Sequence, residues 1–272
     1  MIDTHVHVVA SDPGRYPLDR FDHPGGDWVE SAPDVAAFAS AMAAAGIDGA
    51  VLVQPHGAYR DDNSYVCDAA AAHEELRSVV IIDMASPHRR NHLARWIDRG
   101  ASGLRLFSVP TPATPWIDDP STDMVWSDAA DAGLTIGVCV LPDELEQLTR
   151  RVSRAGDTPV VVDHCGFVPL HDSTHPSTQQ LRRLGTSGRV WFKVTTHVID
   201  AWCETGQPAG ELLPRLVAWF GAERLVWGSD YAQTHDRSYG ELVDLARSCF
   251  DGLDDVAASQ VAHTNAASLW RF

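Results

Sequence analysis

Short runs of apolar, largely β-branched residues recur eight times along the chain: Ile2–Val8, Gly49–Gln54, Arg77–Asp83, Gly103–Phe107, Thr135–Val140, Pro159–His164, Val190–Thr195 and Leu225–Asp230. Runs of this length and composition predict strands. Between them apolar residues fall at helical spacing, as in Val35, Phe38 and Met42, or Leu93, Trp96 and Ile97. The same spacing recurs at Leu145, Leu148 and Val152, and again at Leu213, Leu216, Val217 and Phe220, predicting amphipathic helices. Gly46, Gly100, Gly133, Gly156 and Gly221 stand just past these patterns, where a left-handed residue ends a helix, and Ser31-Ala32-Pro33-Asp34 reads as a helix start. Buried parallel strands each followed by a helix make either an open doubly wound sheet or a closed barrel. The count of eight, and the lack of a G-x-G-x-x-G after the first run, select the α/β class with a (β/α)8 TIM barrel in one domain, 1–272.

Composition agrees with one large core: 272 residues, 44% hydrophobic, are close to the roughly 250 that such a barrel needs. The formal net charge of −16 would repel phosphate backbones and anionic lipid surfaces, so neither nucleic acid nor membrane is an expected partner. No apolar stretch approaches a membrane span and the first residues have no signal-peptide pattern, which predicts a soluble, cytoplasmic protein. The five cysteines (Cys67, Cys139, Cys165, Cys203, Cys249) are widely spaced, without a C-x-x-C, which argues against both disulfides and a thiolate zinc site. Cys165, next to His164, reads as a packed residue in preference to a nucleophile.

Two connections exceed the usual loop of 2 to 6 residues: Val9 to Pro33 and Cys165 to His175. Both leave C-terminal strand ends, the face on which barrels carry chemistry. Asp3, His5 and His7 alternate on the first strand, and period two predicts all three in the lumen. Arg105, His164, Lys193 and Asp230 fall at the ends of strands four, six, seven and eight. So many ionisable groups near a core need each other, a ligand or an ion. His56 and Tyr59 after strand two, His197 after Lys193, and Arg20 and His23 in the first long loop are further candidate contacts. His73, His88, His92 and His263 lie in helical segments away from those ends and read as surface residues.

With these residues in view the chain resembles the amidohydrolase superfamily, and within it the lactonase-like branch that includes 2-pyrone-4,6-dicarboxylate lactonase and sugar lactonases. The resemblance spans nearly the whole chain through Asp3-Thr4-His5-Val6-His7, Val53-Gln54-Pro55 with Asp62-Asn63-Ser64-Tyr65, and Gly103-Leu104-Arg105. It continues through Asp163-His164-Cys165-Gly166, Lys193, Trp227-Gly228-Ser229-Asp230 and Asn265-Ala266-Ala267-Ser268-Leu269. It implies Asp230 as general base toward water and His164 as the group that polarises a carbonyl or helps hold a metal. His5 and His7 would be metal ligands or substrate contacts, and Arg105 and Lys193 the grip on an anionic group. A site of His5, His7, Asp230 and His164 for one divalent ion, zinc or manganese, stays open beside a metal-free mechanism. Arg105 in place of a carbamylated lysine, and Gly137-Val138-Cys139-Val140 without a histidine, argue against two metals.

The expected activity is hydrolysis of a lactone or similar cyclic ester, carboxylated or hydroxylated. A metal-dependent decarboxylase and a biosynthetic isomerase or cyclase are the alternatives on the same scaffold. After Asp230 the chain runs Tyr231-Ala232-Gln233-Thr234-His235, where lactonase-like relatives usually have Trp-Pro. Only Arg105 among the arginines stands at a strand end, which favours a monoacid or neutral substrate over a dicarboxylate.

Overall fold

A computed structural model of the chain describes residues 1–20, 26–108, 116–117, 119–187 and 189–272. Eight strands, β1 (Ile2–Val6), β2 (Gly49–Val53), β3 (Leu76–Ile81), β4 (Gly103–Phe107), β5 (Thr135–Cys139), β6 (Val160–Val162), β7 (Val190–Thr195) and β8 (Leu225–Gly228), pair in chain order, all parallel. The ring is closed just beyond β8, where the Asp230 N–H donates to the His5 carbonyl at 2.9 Å and Val6 bridges Tyr231. The protein is a single-domain (β/α)8 barrel. Helices at Val35–Ala44, Ser64–Ala71, Arg89–Asp98, Asp123–Asp131, Leu145–Val152, Pro176–Gly185, Leu212–Phe220 and Tyr239–Phe250 follow the eight strands in turn. The helix ends match the sequence pattern: the Asp34 side chain accepts from Ala37 N–H, and all five glycines named above have positive φ. Among the described residues no helix is long and apolar enough to cross a membrane.

Strand alternation divides the barrel into two zones. Leu52, Leu104, Leu106, Ile136, Val138, Val160, Val162, Phe192 and Val194 turn outward and pack under the helices. Ile2, Val51, Val53, Val79, Val161 and Val226 turn inward and fill the lower lumen with Leu269 and Trp270. The C-terminal helix Asn265–Trp270 plugs that end. Asn265 Nδ2 donates to the carbonyls of Ala222 and Leu225, and Thr135 Oγ1 to that of Leu269. Higher in the lumen the inward positions include Arg105, Lys193 and Thr195, so these polar residues sit on an apolar floor.

One expectation fails on β1. Asp3 does not share the lumen with His5 and His7, because pairing with β2 slips by one residue between Asp3 and Val6, a bulge that reverses the side-chain alternation. Asp3 instead lies fully buried in the β1–β8 seam. Its Oδ1 accepts the N–H of Ser229 (2.8 Å) and of His5 (3.1 Å), and its Oδ2 accepts from the Tyr239 hydroxyl (3.1 Å). Strands six and eight also stop short of expectation, at Val162 and Gly228, since His164 (φ 52°) and Asp230 (φ 61°) take left-handed backbone conformations.

The seam depends on a close approach at Gly228, where an added Cβ would lie 2.7 Å from His5 Cβ and 2.9 Å from His5 N. Neither atom can rotate away. Gly228→Ala is expected to destabilise the protein by about 1–3 kcal/mol, as overpacking does, read from urea unfolding. An unchanged midpoint would show that β1 and β8 do not meet as tightly as described.

Candidate active site

The mouth of the barrel is built on one carboxylate between two cations. Asp163 Oδ2 accepts from Arg105 Nε at 2.8 Å, and Lys193 Nζ stands 2.9 Å from Oδ1. Burial alone would raise the Asp163 pKa, but Lys193 and then Arg105 hold it well below the usual carboxylate range. For Arg105 burial opposes the charge and Asp163 more than offsets it, so that pKa is raised. Lys193 also lies 3.3 Å from His5 Nδ1 and above the Trp270 ring, 5.6 Å from its centroid.

Above this layer stand three histidines and Asp230. His5 Nε2 is 3.5 Å and His7 Nε2 3.7 Å from Asp230 Oδ1, and the His5 ring centroid is 5.2 Å from that of His164. His7 Nδ1 faces the Val53 carbonyl at 2.8 Å, which makes it the donor there, and His164 Nδ1 faces Thr195 Oγ1 at 2.8 Å. Burial lowers the pKa of all three imidazoles, to about 3 for His7 and His164, so they are neutral at pH 7. Burial raises that of Asp230 to about 7. A left-handed non-glycine residue costs about 1–2 kcal/mol, and two such residues, His164 and Asp230, carry their side chains into this mouth.

His5, His164 and Asp230 each offer a ligand atom within 4.8 Å of the others, the one such cluster of three among the described residues. His5 Nε2, His7 Nε2 and Asp230 Oδ1 are buried without hydrogen-bond partners. Neutral imidazole and carboxylate donors left bare beside one another suit a divalent ion of the zinc or manganese type. His7, expected in the same set, approaches Asp230 but stands outside the tight cluster.

The other candidates are distributed around the opening. Arg105 and His56 line a cavity of about 470 Å³, with Phe107 packed edge-on against the His56 ring. His197 lies between a 210 Å³ cavity shared with His164 and Phe167 and a 340 Å³ groove shared with Asp230. Tyr59 is buried, its hydroxyl accepting the Ala10 N–H at 2.8 Å, and so holds the first loop. Arg20 is at the surface beside Glu30, and His23 lies outside the described residues. Cys165 is fully buried with its thiol pushed up to about 12 by burial, which suits packing and not nucleophilic attack.

Two site residues escaped the sequence reading. Asp163 was visible only as the neighbour of His164; with β6 ending at Val162 it takes the inward position after Val161, and the left-handed turn then brings His164 inward as well. Thr195 could have been found, since it lies two residues beyond Lys193 on the same face of β7.

Residues 2–272 match the sequence profile of the family described as Amidohydrolase, and the chain belongs to that family of enzymes. It is 27% identical to L-fucono-1,5-lactonase of Burkholderia ambifaria, over 99% of this chain and 95% of the relative. It is 26% identical to D-galactarolactone isomerase of Agrobacterium fabrum, over 90% of this chain and 81% of the relative. Among solved structures, an amidohydrolase from Burkholderia multivorans with bound zinc superposes with a TM-score of 0.78 at 21% identity, covering 100% of this chain and 99% of its own, a likeness of fold.

The raised pKa of Asp230 makes a stability prediction with a definite sign. A carboxyl raised from 3.8 to about 7 stabilises the fold when protonated; that contribution is complete below about pH 4 and lost as the pH rises to about 7. Asp230→Asn in metal-stripped protein should therefore unfold at higher temperature than wild type at pH 8. The gain should be a few kcal/mol, at about 1.4 kcal/mol per pH unit, and should vanish near pH 4. Calorimetry at both pH values checks this; a variant less stable at pH 8 would show that the Asp230 charge is well compensated.

Proposed function

We propose that this enzyme hydrolyses a lactone, with Asp230 as the base that activates water. The observation that carries the reading is Asp230 itself: a buried carboxyl with its pKa raised to about 7, beside two neutral histidines and bordering an open groove. A base poised near the working pH combines adequate ionisation with useful basicity. The sugar-lactone relatives support a ring ester as substrate.

In this mechanism Asp230 takes a proton from water as the water oxygen bonds to the ring carbonyl carbon. The ring C–O bond then breaks, and the departing alkoxide takes the proton back from Asp230. His164 is neutral; with Nδ1 accepting from the Thr195 hydroxyl its single ring proton sits on Nε2, placed to hydrogen-bond the carbonyl oxygen as charge develops there. Arg105, on the wall of the 470 Å³ cavity, binds a carboxylate or hydroxyls of the substrate with the guanidinium nitrogens that Asp163 does not use. Lys193, only 3% exposed, adds its charge from beneath the site. His56 and His197 contact the ends of the substrate from the two sides of the opening, and Tyr59 does so only through the loop it holds. Where zinc or manganese is bound, His5, His164 and Asp230 would hold it with His7 alongside, and it would supply Lewis-acid polarisation of the carbonyl.

A second reading, lactone isomerisation, is favoured by the galactarolactone isomerase relative. It keeps Asp230 as the proton carrier but takes the nucleophile from a hydroxyl of the substrate, so no water is consumed.

On sugar 1,4- and 1,5-lactones, Asp230→Asn is expected to lower kcat by about 10²–10⁴-fold, the range for loss of a general base, with the circular dichroism spectrum unchanged. Wild-type kcat/KM should rise with pH to a plateau above an apparent pKa near 7, because the base acts only when ionised. Full turnover by a folded Asp230→Asn would refute the assignment.

A further inference from the structure

Three histidines surround Asp230, and they differ in which ring nitrogen is free to bind a metal. The Nδ1 of His7 can only donate to the Val53 carbonyl at 2.8 Å, which leaves a lone pair on Nε2. This is the usual arrangement of a ligating histidine, whose second nitrogen gives its proton to a carbonyl or carboxylate. The Nδ1 of His164 meets the Thr195 hydroxyl, which can donate or accept, so either tautomer is satisfied. His5 is different. Its Nδ1 faces Lys193 Nζ at 3.3 Å, and an ammonium has hydrogens to give and no lone pair to receive one.

We propose that Lys193 sets the metal affinity of this site by holding His5 in the tautomer whose proton sits on Nε2. With Nδ1 accepting from Lys193, the His5 proton sits on Nε2, the nitrogen 3.5 Å from Asp230 Oδ1, where a metal would need a lone pair. Ligation through Nε2 requires that proton to move to Nδ1. There it would meet the ammonium, with Asp163 Oδ1 at 3.7 Å as the nearest acceptor, already paired with Lys193 at 2.9 Å.

The surroundings keep Lys193 in place. It is 3% exposed, fixed by Asp163 from the side and by the Trp270 ring from below. Arg105 and Lys193 together also bring two positive charges against the single charge of Asp163, a surplus that opposes a dication directly above. Hydrogen-bond direction and charge therefore act in the same sense. In the metal-free enzyme the Nε2–H of His5 then stands beside Asp230 and makes His5 a positioning residue for the base through proximity of charge and dipole.

The inference concerns the site of the proposed hydrolysis but needs no particular substrate. Its test uses metal-free wild-type protein with ¹⁵N-labelled histidine. Long-range ¹H–¹⁵N spectra, with His5 assigned by the signal missing in His5→Gln, should show His5 as the Nε2–H tautomer. In parallel, Zn²⁺ affinity is measured by chelator competition for wild type and Lys193→Met, whose side chain fills similar space over Trp270 without a donor. Lys193→Met should bind Zn²⁺ about tenfold or more tightly, the scale on which partners of ligating histidines alter affinity. An Nδ1–H tautomer in wild type, or a folded Lys193→Met with unchanged or weaker affinity, would overturn the proposal. Should Lys193→Met not fold, the wild-type tautomer decides. Neither readout depends on turnover, so failure here leaves lactone hydrolysis standing, and failure of hydrolysis leaves this standing.

Discussion

In the upper lumen of this barrel one carboxylate, Asp163, faces two cations carried by different strands, Arg105 on β4 and Lys193 on β7. All three are largely withdrawn from water, where an isolated charge would be unfavourable by several kcal/mol and where removal of one partner from a buried pair costs about 3–5 kcal/mol. This constraint fixes the geometry of the site. Arg105 is turned to Asp163 by its Nε, which leaves its other nitrogens toward the cavity; Lys193 is drawn beneath His5; and the positive surplus lies under Asp230, partly offsetting the burial that raises its pKa. Below it apolar residues fill the lumen down to Trp270.

A second constraint acts across the closing seam. Gly228 lets β8 approach β1, and Asp3, displaced from the lumen by a one-residue bulge, joins the backbones of His5 and Ser229. One buried carboxylate thus sets the spacing between the strand that carries His5 and His7 and the turn that carries Asp230. The left-handed conformations at His164 and Asp230 are held against this frame. Local strain supported by a rigid surround is a common basis for preorganised sites, and here it aims both residues at the same small volume.

The eight strands, their helices and the end of the barrel that carries the site were legible in the sequence because each follows from local periodicity and from glycines and caps with a defined conformational role. His5, His7, Arg105, Lys193 and Asp230 were legible for the same reason, as strand-end polar residues in an otherwise apolar pattern. What period two could not foresee was a change of phase. The bulge sent Asp3 outward, and the left-handed turn at His164 brought that residue inward beside Asp163, which already held the inward phase of Val161, so choosing His164 alone passed over the central carboxylate of the site. The partners of ring nitrogens, on which the distinction between His5 and His7 depends, arise from contacts between distant strands and leave no trace in spacing.

In the proposed hydrolysis this arrangement directs water onto a ring ester, and the most direct measurement follows the oxygen of that water. Sugar 1,5-lactones are incubated with the enzyme in ¹⁸O-labelled water at a pH where uncatalysed opening is slow, and the product is analysed by mass spectrometry. Hydrolysis predicts one heavy oxygen per turnover, located in the new carboxylate. Enzyme-dependent product without the label, as an isomerised ring or with release of carbon dioxide, would contradict it.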